Sequence, residues 1–394
     1  MAQMTWPDLI TGLINGHDLD DEAGAWAMDQ LLTGRTSPEQ MSGFLVALRS
    51  KGETSGELSA LSKGMLSRAL PLELPREAVD IVGTGGDRAN TVNVSTMASI
   101  VTAASGRPVI KHGNRAASSM CGTAECLEAL GVVIDLSPAA EAAVLAEVGI
   151  VFLYAQRYHA SMRHLGPTRK ALGVQTVFNF LGPLANPARP HAQAIGVADE
   201  RIAPLMAGVL ARRCDRGFVF HGTDGLDELT TTGPSDVWIL GGGRCERTVL
   251  DPAELGLAPA TREDLVGGDP EHNAGVVREV VSGATGPVRD IVSLNAAAAM
   301  LRRPGLRRAG RRPAARPPRA GPPGHRRRPR RRAARPVDLL DPGARPGVTS
   351  RRAGPGRPRP GPARGRAGRR SSSTSRRGAG RSAPECGPLI VGAL

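Results

Sequence analysis

Apolar residues recur every three or four positions through the first seventy residues, as in Met28, Leu31 and Leu32, then Met41, Phe44, Leu45 and Leu48. That spacing lines one face of a helix, so it predicts a group of amphipathic helices. Ser37 followed by Pro38 marks one helix start, a capping hydroxyl with proline at the first helical position. From about Pro75 the period changes. Short apolar runs at 78–82, 108–110, 132–134, 149–153 and 216–221 alternate with longer helical patterns. Such alternation argues for an α/β domain with a mainly parallel sheet. The expected architecture is a small helical domain over residues 1–70 and a larger α/β domain over 71–301.

The pattern collapses after Leu301. Residues 302–394 hold 27 arginines, no lysine, three acidic residues and no Phe, Tyr or Trp, while residues 1–301 hold 24 basic and 34 acidic residues. The overall net charge of +14 therefore belongs to the tail, and the body is acidic. A segment so poor in apolar side chains cannot offset its ordering entropy by burial, which predicts disorder. Bulk Arg, Pro, Gly and Ala reads as a frameshifted stretch of a GC-rich gene. The other reading is a basic arm that binds nucleic acid non-specifically, although no aromatic residue offers a stacking platform. No selected nucleic-acid partner is expected.

Two segments carry the chemistry. GTGGD (83–87) ends an apolar run and precedes NVST (93–96) at the head of a helical pattern. KHGNRAASS (111–119) follows a second apolar run. Both place glycines and hydroxyls between a strand and a helix, where free N–H groups and the helix dipole favour an anion. Lys111 and Arg115 can neutralise charge there. The first loop matches neither the dinucleotide nor the Walker fingerprint. Two such loops imply a ligand with phosphates at both ends, or a phosphate beside a sugar.

These segments, with LEALG (127–131), TVFNFLGPLANP (176–187) and HGTDGLDEL (221–229), resemble those of the anthranilate phosphoribosyltransferase family. The likeness runs in order from about residue 7 to Met300. It implies a helical domain packed on the α/β domain, joined by helices from about 160–190, with the substrates between them. It also implies a homodimer formed through the helical domain and a cytoplasmic enzyme of tryptophan biosynthesis. The substrates would be anthranilate and 5-phosphoribosyl-1-pyrophosphate, with Mg²⁺ as cofactor. The family's further C-terminal helices find no match after residue 301, which predicts an exposed core face.

Carried onto this sequence, the resemblance implies that substrate is bound by Gly83, Gly86, Asp87, Thr91, Asn93, Val94, Ser95 and Thr96 from the first loop. The second loop would contribute Lys111, His112, Gly113, Asn114, Arg115, Ala116, Ala117, Ser118 and Ser119, with Thr123 just beyond. Arg169 would clamp the anthranilate carboxylate through its planar fork, with Asn114 as a second polar contact. His112 is open between a ring contact and plain packing. Ser95, Asp227 and Glu228 would hold Mg²⁺, which prefers oxygen ligands and keeps waters while bridging phosphates. No acid or base is assigned, because positioning and stabilisation of the leaving pyrophosphate suffice. Which loop takes which phosphate stays open.

One departure is Cys121-Gly-Thr-Ala-Glu125, where the family has a hydroxyl-rich turn and an Ala-Asp pair; Ala160-Ser161 replaces a common Pro-Ala. A pyrimidine-nucleoside phosphorylase of similar fold is the competing enzyme reading, and an inactive truncated homologue with a nucleic-acid-binding tail is another. No apolar run reaches the ~18 residues that span a bilayer, and no basic n-region opens the chain, so no membrane partner is expected. The five scattered cysteines read as free thiols in a reducing compartment.

Overall fold

The computed structural model describes residues 4–116, 119–213 and 216–301. The expectations for the tail lie outside the described residues. Helices α1 (Trp6–Ile14), α2 (Asp21–Leu32), α3 (Pro38–Lys51) and α4 (Ser55–Ser67) come first. Their starts are chemically defined: Ser37 and Gln40 form a reciprocal capping box on α3, and Thr54 with Glu57 does the same on α4. The predicted stripe Met28, Leu31, Leu32, Met41, Phe44, Leu45 and Leu48 is buried in one core. Glu57 is also buried, where it accepts from the Leu19 N–H and from Lys51 Nζ, both at 3.0 Å.

The second part is one seven-stranded sheet: β1 (Val79–Gly83), β2 (Val109–Gly113), β3 (Ile150–Tyr154), β4 (Ala192–Gly196), β5 (Arg216–Gly222), β6 (Ser235–Gly241) and β7 (Arg244–Leu250). The order is β3-β2-β1-β4-β5-β6-β7, parallel through β5 and antiparallel for the last two strands. Fold class and a mainly parallel sheet thus agree with the sequence pattern. Successive residues point to opposite faces. Ile195, Val219, Trp238 and Leu240 join the core of the helical bundle, whereas Ala194, Phe218, Phe220 and Ile239 form a second core with Leu294 and Ala298.

The remaining helices cover the sheet: α5 (Val94–Ala104), α6 (Thr123–Ala129), α7 (Pro138–Val148), α8 (Ala155–Tyr158), α9 (Gly166–Leu172), α10 (Phe178–Leu181), α11 (Ala203–Ala211), α12 (Pro270–Val281) and α13 (Pro287–Met300). Leu165, Val177, Phe178, Phe180 and Leu181 lie in the same core as α1–α4. Helix α13 is buried along Ile291, Val292, Leu294 and Ala296, and Arg107 donates to the carbonyls of Ala299 and Leu301 at its end.

One strand expectation fails. Residues 132–134 do not pair. The N–H groups of Gly131 and Val132 instead bond the Glu128 and Leu127 carbonyls, closing α6 in a Schellman cap with Gly131 at φ 88°. Val133 is left exposed and Ile134 alone enters a core. Two further antiparallel strands and β4 escaped the apolar-run criterion. Strand β7 is a charged edge (Arg244, Glu246, Arg247), the kind of composition that discourages edge pairing.

Candidate active site

The strand order reverses around β1, with β2 on one side and β4 on the other. Ligands of open α/β sheets bind beyond the carboxyl ends of the strands at such a switch point. There the structure has a cavity of about 910 Å³, reached by both phosphate-type loops, by Met65 of α4 and by α9 and α10.

The first loop is shaped around a carboxylate. Gly83 of β1 pairs in register with Gly196 of β4. A Cβ on either residue would collide with Asp227, so both positions demand glycine for close approach. Asp227 then reaches the strand ends and accepts the Gly85 N–H at 2.7 Å. At the far side of the loop, Asn93 caps α5 without a side-chain bond to the first turn. Its amide is engaged elsewhere, accepting from Asn273 Nδ2 at 2.9 Å and donating to the Cys121 carbonyl at 3.3 Å. Val94 and Ser95, at the positive end of an 11-residue helix, line the cavity.

The second loop hangs from a buried polar tie. Asp80, fully buried in β1, accepts the His112 N–H at 3.1 Å and Asn186 Nδ2 at 2.9 Å. Asn186 also donates to the Ile110 carbonyl at 3.0 Å. Burial raises the Asp80 pKa to about 6 against the pull of Asn186 and Lys111. Lys111 is buried; its Nζ donates to the Ile81 carbonyl and to Ser95 Oγ, the latter at 3.2 Å. Desolvation lowers its pKa, opposed by Asp80, Glu228 and Asp227. His112 packs edge-on to His159 with ring centroids 5.3 Å apart. Burial and His159 push its pKa down to about 3, so it is a neutral imidazole, with Nε2 unpartnered among the described residues.

Asp227 and Glu228 face the cavity from the loop after β5. Asn295 of buried helix α13 holds that loop, accepting the Leu229 N–H and donating to its carbonyl, at 3.0 and 2.9 Å. Desolvation, then repulsion from Asp87, raises the Asp227 pKa to about 7. Glu228 is raised well above the carboxylate range by desolvation and by Asp227, partly countered by Lys111 and the Ser95 N–H. Crowded, desolvated carboxylates beside a cavity suit a hard divalent cation, which would relieve their repulsion. The described residues form no ready-made cage of three or more His, Cys, Asp or Glu ligands. The donor set therefore fits an ion completed by water and substrate oxygens, as Mg²⁺ favours.

The opposite wall is less polar. Arg169 of α9 lies over the Phe178 ring, 5.7 Å from its centroid. No ion pair or hydrogen bond engages its guanidinium among the described residues, and burial alone lowers its pKa. Met162, Phe178, Gly182 and Pro183 line the same end.

Most residues singled out from sequence reach this cavity: Gly83, Gly86, Asp87, Thr91, Asn93, Val94, Ser95, Lys111, His112, Gly113, Asn114, Arg115, Ala116, Ser119, Thr123, Arg169, Asp227 and Glu228. Thr96 does not; it is buried behind the loop, 3.5 Å from Thr123 Oγ1. Ala117 and Ser118 lie outside the described residues. Arg115 is already held by Glu128 at 2.7 and 2.8 Å and by Tyr154 at 3.0 Å. Sequence reasoning missed Phe178, Gly182 and His159 as lining residues, although the run 176–187 had stood out. It also missed Asp80 and Asn186, whose only signal was a carboxylate inside a strand pattern.

Such a fold and site define a class. The model of the helical bundle domain of a glycosyl transferase family matches residues 7–69, and that of the family's a/b domain matches 75–308. The anthranilate phosphoribosyltransferase of an Arthrobacter species is 56% identical over 300 residues, covering 76% of this chain and 85% of the relative. The crystal structure of the Thermus thermophilus enzyme of that name aligns with a TM-score of 0.70 at 43% identity, covering 74% of this chain and 88% of the other. The Saccharomyces cerevisiae enzyme, solved in complex with PRPP and Mg, aligns with a TM-score of 0.63 at 28% identity over 75% and 83%. The chain belongs to the anthranilate phosphoribosyltransferase family.

Proposed function

We propose that this chain transfers the phosphoribosyl group of 5-phosphoribosyl-1-pyrophosphate to the amine of anthranilate, releasing pyrophosphate, as a step of tryptophan biosynthesis. One observation carries the reading: a single cavity joins a charged, glycine-lined end to an Arg169–Phe178 wall. The phosphates would lie against the Gly83–Asp87 turn, the first turn of α5 and the Lys111–Ser119 loop. Ser95, Asp227 and Glu228 would hold Mg²⁺. When bound, that ion supplies positive charge to the leaving pyrophosphate.

This chain's own groups orient the rest. Lys111 is placed by Ser95 and the Ile81 carbonyl at the carboxylate end, so its charge offsets part of theirs before substrate arrives. Arg169 would take the anthranilate carboxylate, and the Phe178 ring holds the guanidinium plane in place. His112 and His159 stay neutral near that end, which spares a cation opposite Arg169. Bond breaking at C1 would build oxocarbenium character, and the amine would attack from the opposite face. Positioning and fixed charge supply the acceleration, with no covalent enzyme nucleophile. We further propose a homodimer through the helical domain, where Ile14 and Val46 are exposed apolar side chains.

The test is anthranilate fluorescence in the presence of 5-phosphoribosyl-1-pyrophosphate. Mg²⁺-dependent loss of the signal supports the reaction. An unchanged signal from folded protein, with thymidine phosphorolysed instead, would refute it. Sedimentation of wild type against Val46→Glu checks the dimer.

A further inference from the structure

Two cysteines meet beneath the second loop, and local helix geometry explains why. Gly122 is the N-cap of α6, so Cys121 precedes the cap and Cys126 is the fourth helical residue. Side chains at those two places pack together at helix starts, fixing the angle at which the chain enters. Here both are thiols. They share one buried core with Val92, Met97 and Leu226, where the Cys121 thiol donates to Asn93 Oδ1 and to the Gly122 carbonyl, both at 3.4 Å. Both are free.

The two differ in access. Cys121 is 6% exposed and borders the cavity, while Cys126 is 0% exposed. The neighbouring Cys126 side chain lowers the Cys121 pKa, and Cys121 together with burial raises that of Cys126. Cys121 is therefore the thiol that ionises and attacks first. Its backbone also matters, because its carbonyl accepts from Asn93 Nδ2 at 3.3 Å and from Ser119 Oγ at 3.4 Å. A shift of Cys121 thus reaches both phosphate-type loops.

We propose that Cys121 and Cys126 are a site of reversible oxidation, closing to an internal disulfide that displaces residues 119–123 and weakens the phosphate end of the cavity. The oxidant is hydrogen peroxide. Cys121 thiolate attacks one oxygen, the O–O bond breaks, and sulfenic acid forms while the departing hydroxide takes the thiol's proton as water. Cys126 sulfur then attacks the sulfenic sulfur; the S–S bond forms, the S–O bond breaks, and a second water leaves with the Cys126 proton. Two thiols are oxidised and one peroxide is reduced to two waters. The effect on substrate binding rests on the transferase reading, whereas the disulfide itself does not.

Mass spectrometry of the full chain after peroxide, digested with trypsin without reduction, tests the bond. Residues 116–157 form one tryptic peptide holding both cysteines and no internal Lys or Arg before Arg157. The expected result is loss of two hydrogens in that peptide. With it should come a fall of roughly tenfold or more in kcat/KM for 5-phosphoribosyl-1-pyrophosphate, given how steeply rate depends on positioning. Dithiothreitol should restore both. Cys126→Val keeps an apolar side chain in the core and should leave the unoxidised rate unchanged; after peroxide its Cys121 should be trapped by dimedone as sulfenic acid. An unaltered wild-type peptide, or pairing of Cys121 with Cys245, overturns the proposal. A disulfide with no change in kcat/KM overturns the coupling to the loop. A disulfide in a chain that transfers no phosphoribosyl group at all refutes the transferase reading and leaves the oxidation site standing.

Discussion

The two ends of the cavity are built from different materials. At the sheet end, backbone and buried charge do the holding: glycines at 83 and 196 make room for Asp227, Asn295 fixes the loop that carries it, and Asp80 ties β2 to Asn186. At the helical end, one half-buried arginine stands over a phenylalanine among Met162, Gly182 and Pro183. The first end suits a ligand of high charge, because many preorganised donors and crowded carboxylates converge there. The second suits a flat ring with a single carboxylate. The contrast implies that the two substrates are recognised almost independently.

The comparison breaks most severely at the carboxylates. Asp227→Asn and Glu228→Gln should each lower kcat/KM for 5-phosphoribosyl-1-pyrophosphate by on the order of 10²-fold or more, comparable to loss of one charge-stabilising group elsewhere. Steady-state kinetics across a Mg²⁺ series would check this; retention of more than a tenth of the activity would count against the site. Gly83→Ala acts on the same end by pure collision. It should displace Asp227 and cost about as much activity, while circular dichroism stays native.

Arg169→Ala sharpens the other end. A charge-assisted hydrogen-bond pair is worth ~1.5–3 kcal/mol, so the anthranilate KM should rise roughly ten- to hundredfold. The KM for the phosphoribosyl donor should hardly move. A rise in both would mean that the two ends are not separate.

The smallest effect concerns Asp80. Its folded pKa is raised to about 6, above the ~3.9 of an unfolded aspartate. Between those values the folded state binds the extra proton, so this residue's destabilising contribution is full above pH 6 and fades as pH falls toward 4. Melting temperatures from pH 4 to 7.5 should fall with rising pH in wild type and fall less steeply in Asp80→Asn, the remaining slope coming from Asp227 and Glu228. A slope unchanged by the substitution would place its origin elsewhere.

How much of this could be read from sequence depends on how local each feature is. The two loops were legible because their glycines, hydroxyls and cations sit within a few consecutive positions of the sequence, as in 111–119. The helical stripe around Phe44 was legible because burial there follows one helix period. Asp80 and Asn186 were not, since a carboxylate in a strand pattern gives no hint of an amide 106 residues away. Strand β7 was hidden because its outward residues are charged, and 132–134 misled because three apolar residues can serve a helix cap as well as a strand. The cysteine pair did not stand out among five scattered thiols, because its meaning needed the N-cap at Gly122. No helix among the described residues is long and apolar enough to cross a membrane.

The separateness of the two ends is tested most directly by calorimetric titration of 5-phosphoribosyl-1-pyrophosphate with Mg²⁺ into Arg169→Ala, without anthranilate. The account predicts the wild-type Kd within about twofold, less than 0.5 kcal/mol, alongside a large loss for Asp227→Asn. Weakening in Arg169→Ala to the level of Asp227→Asn would contradict it.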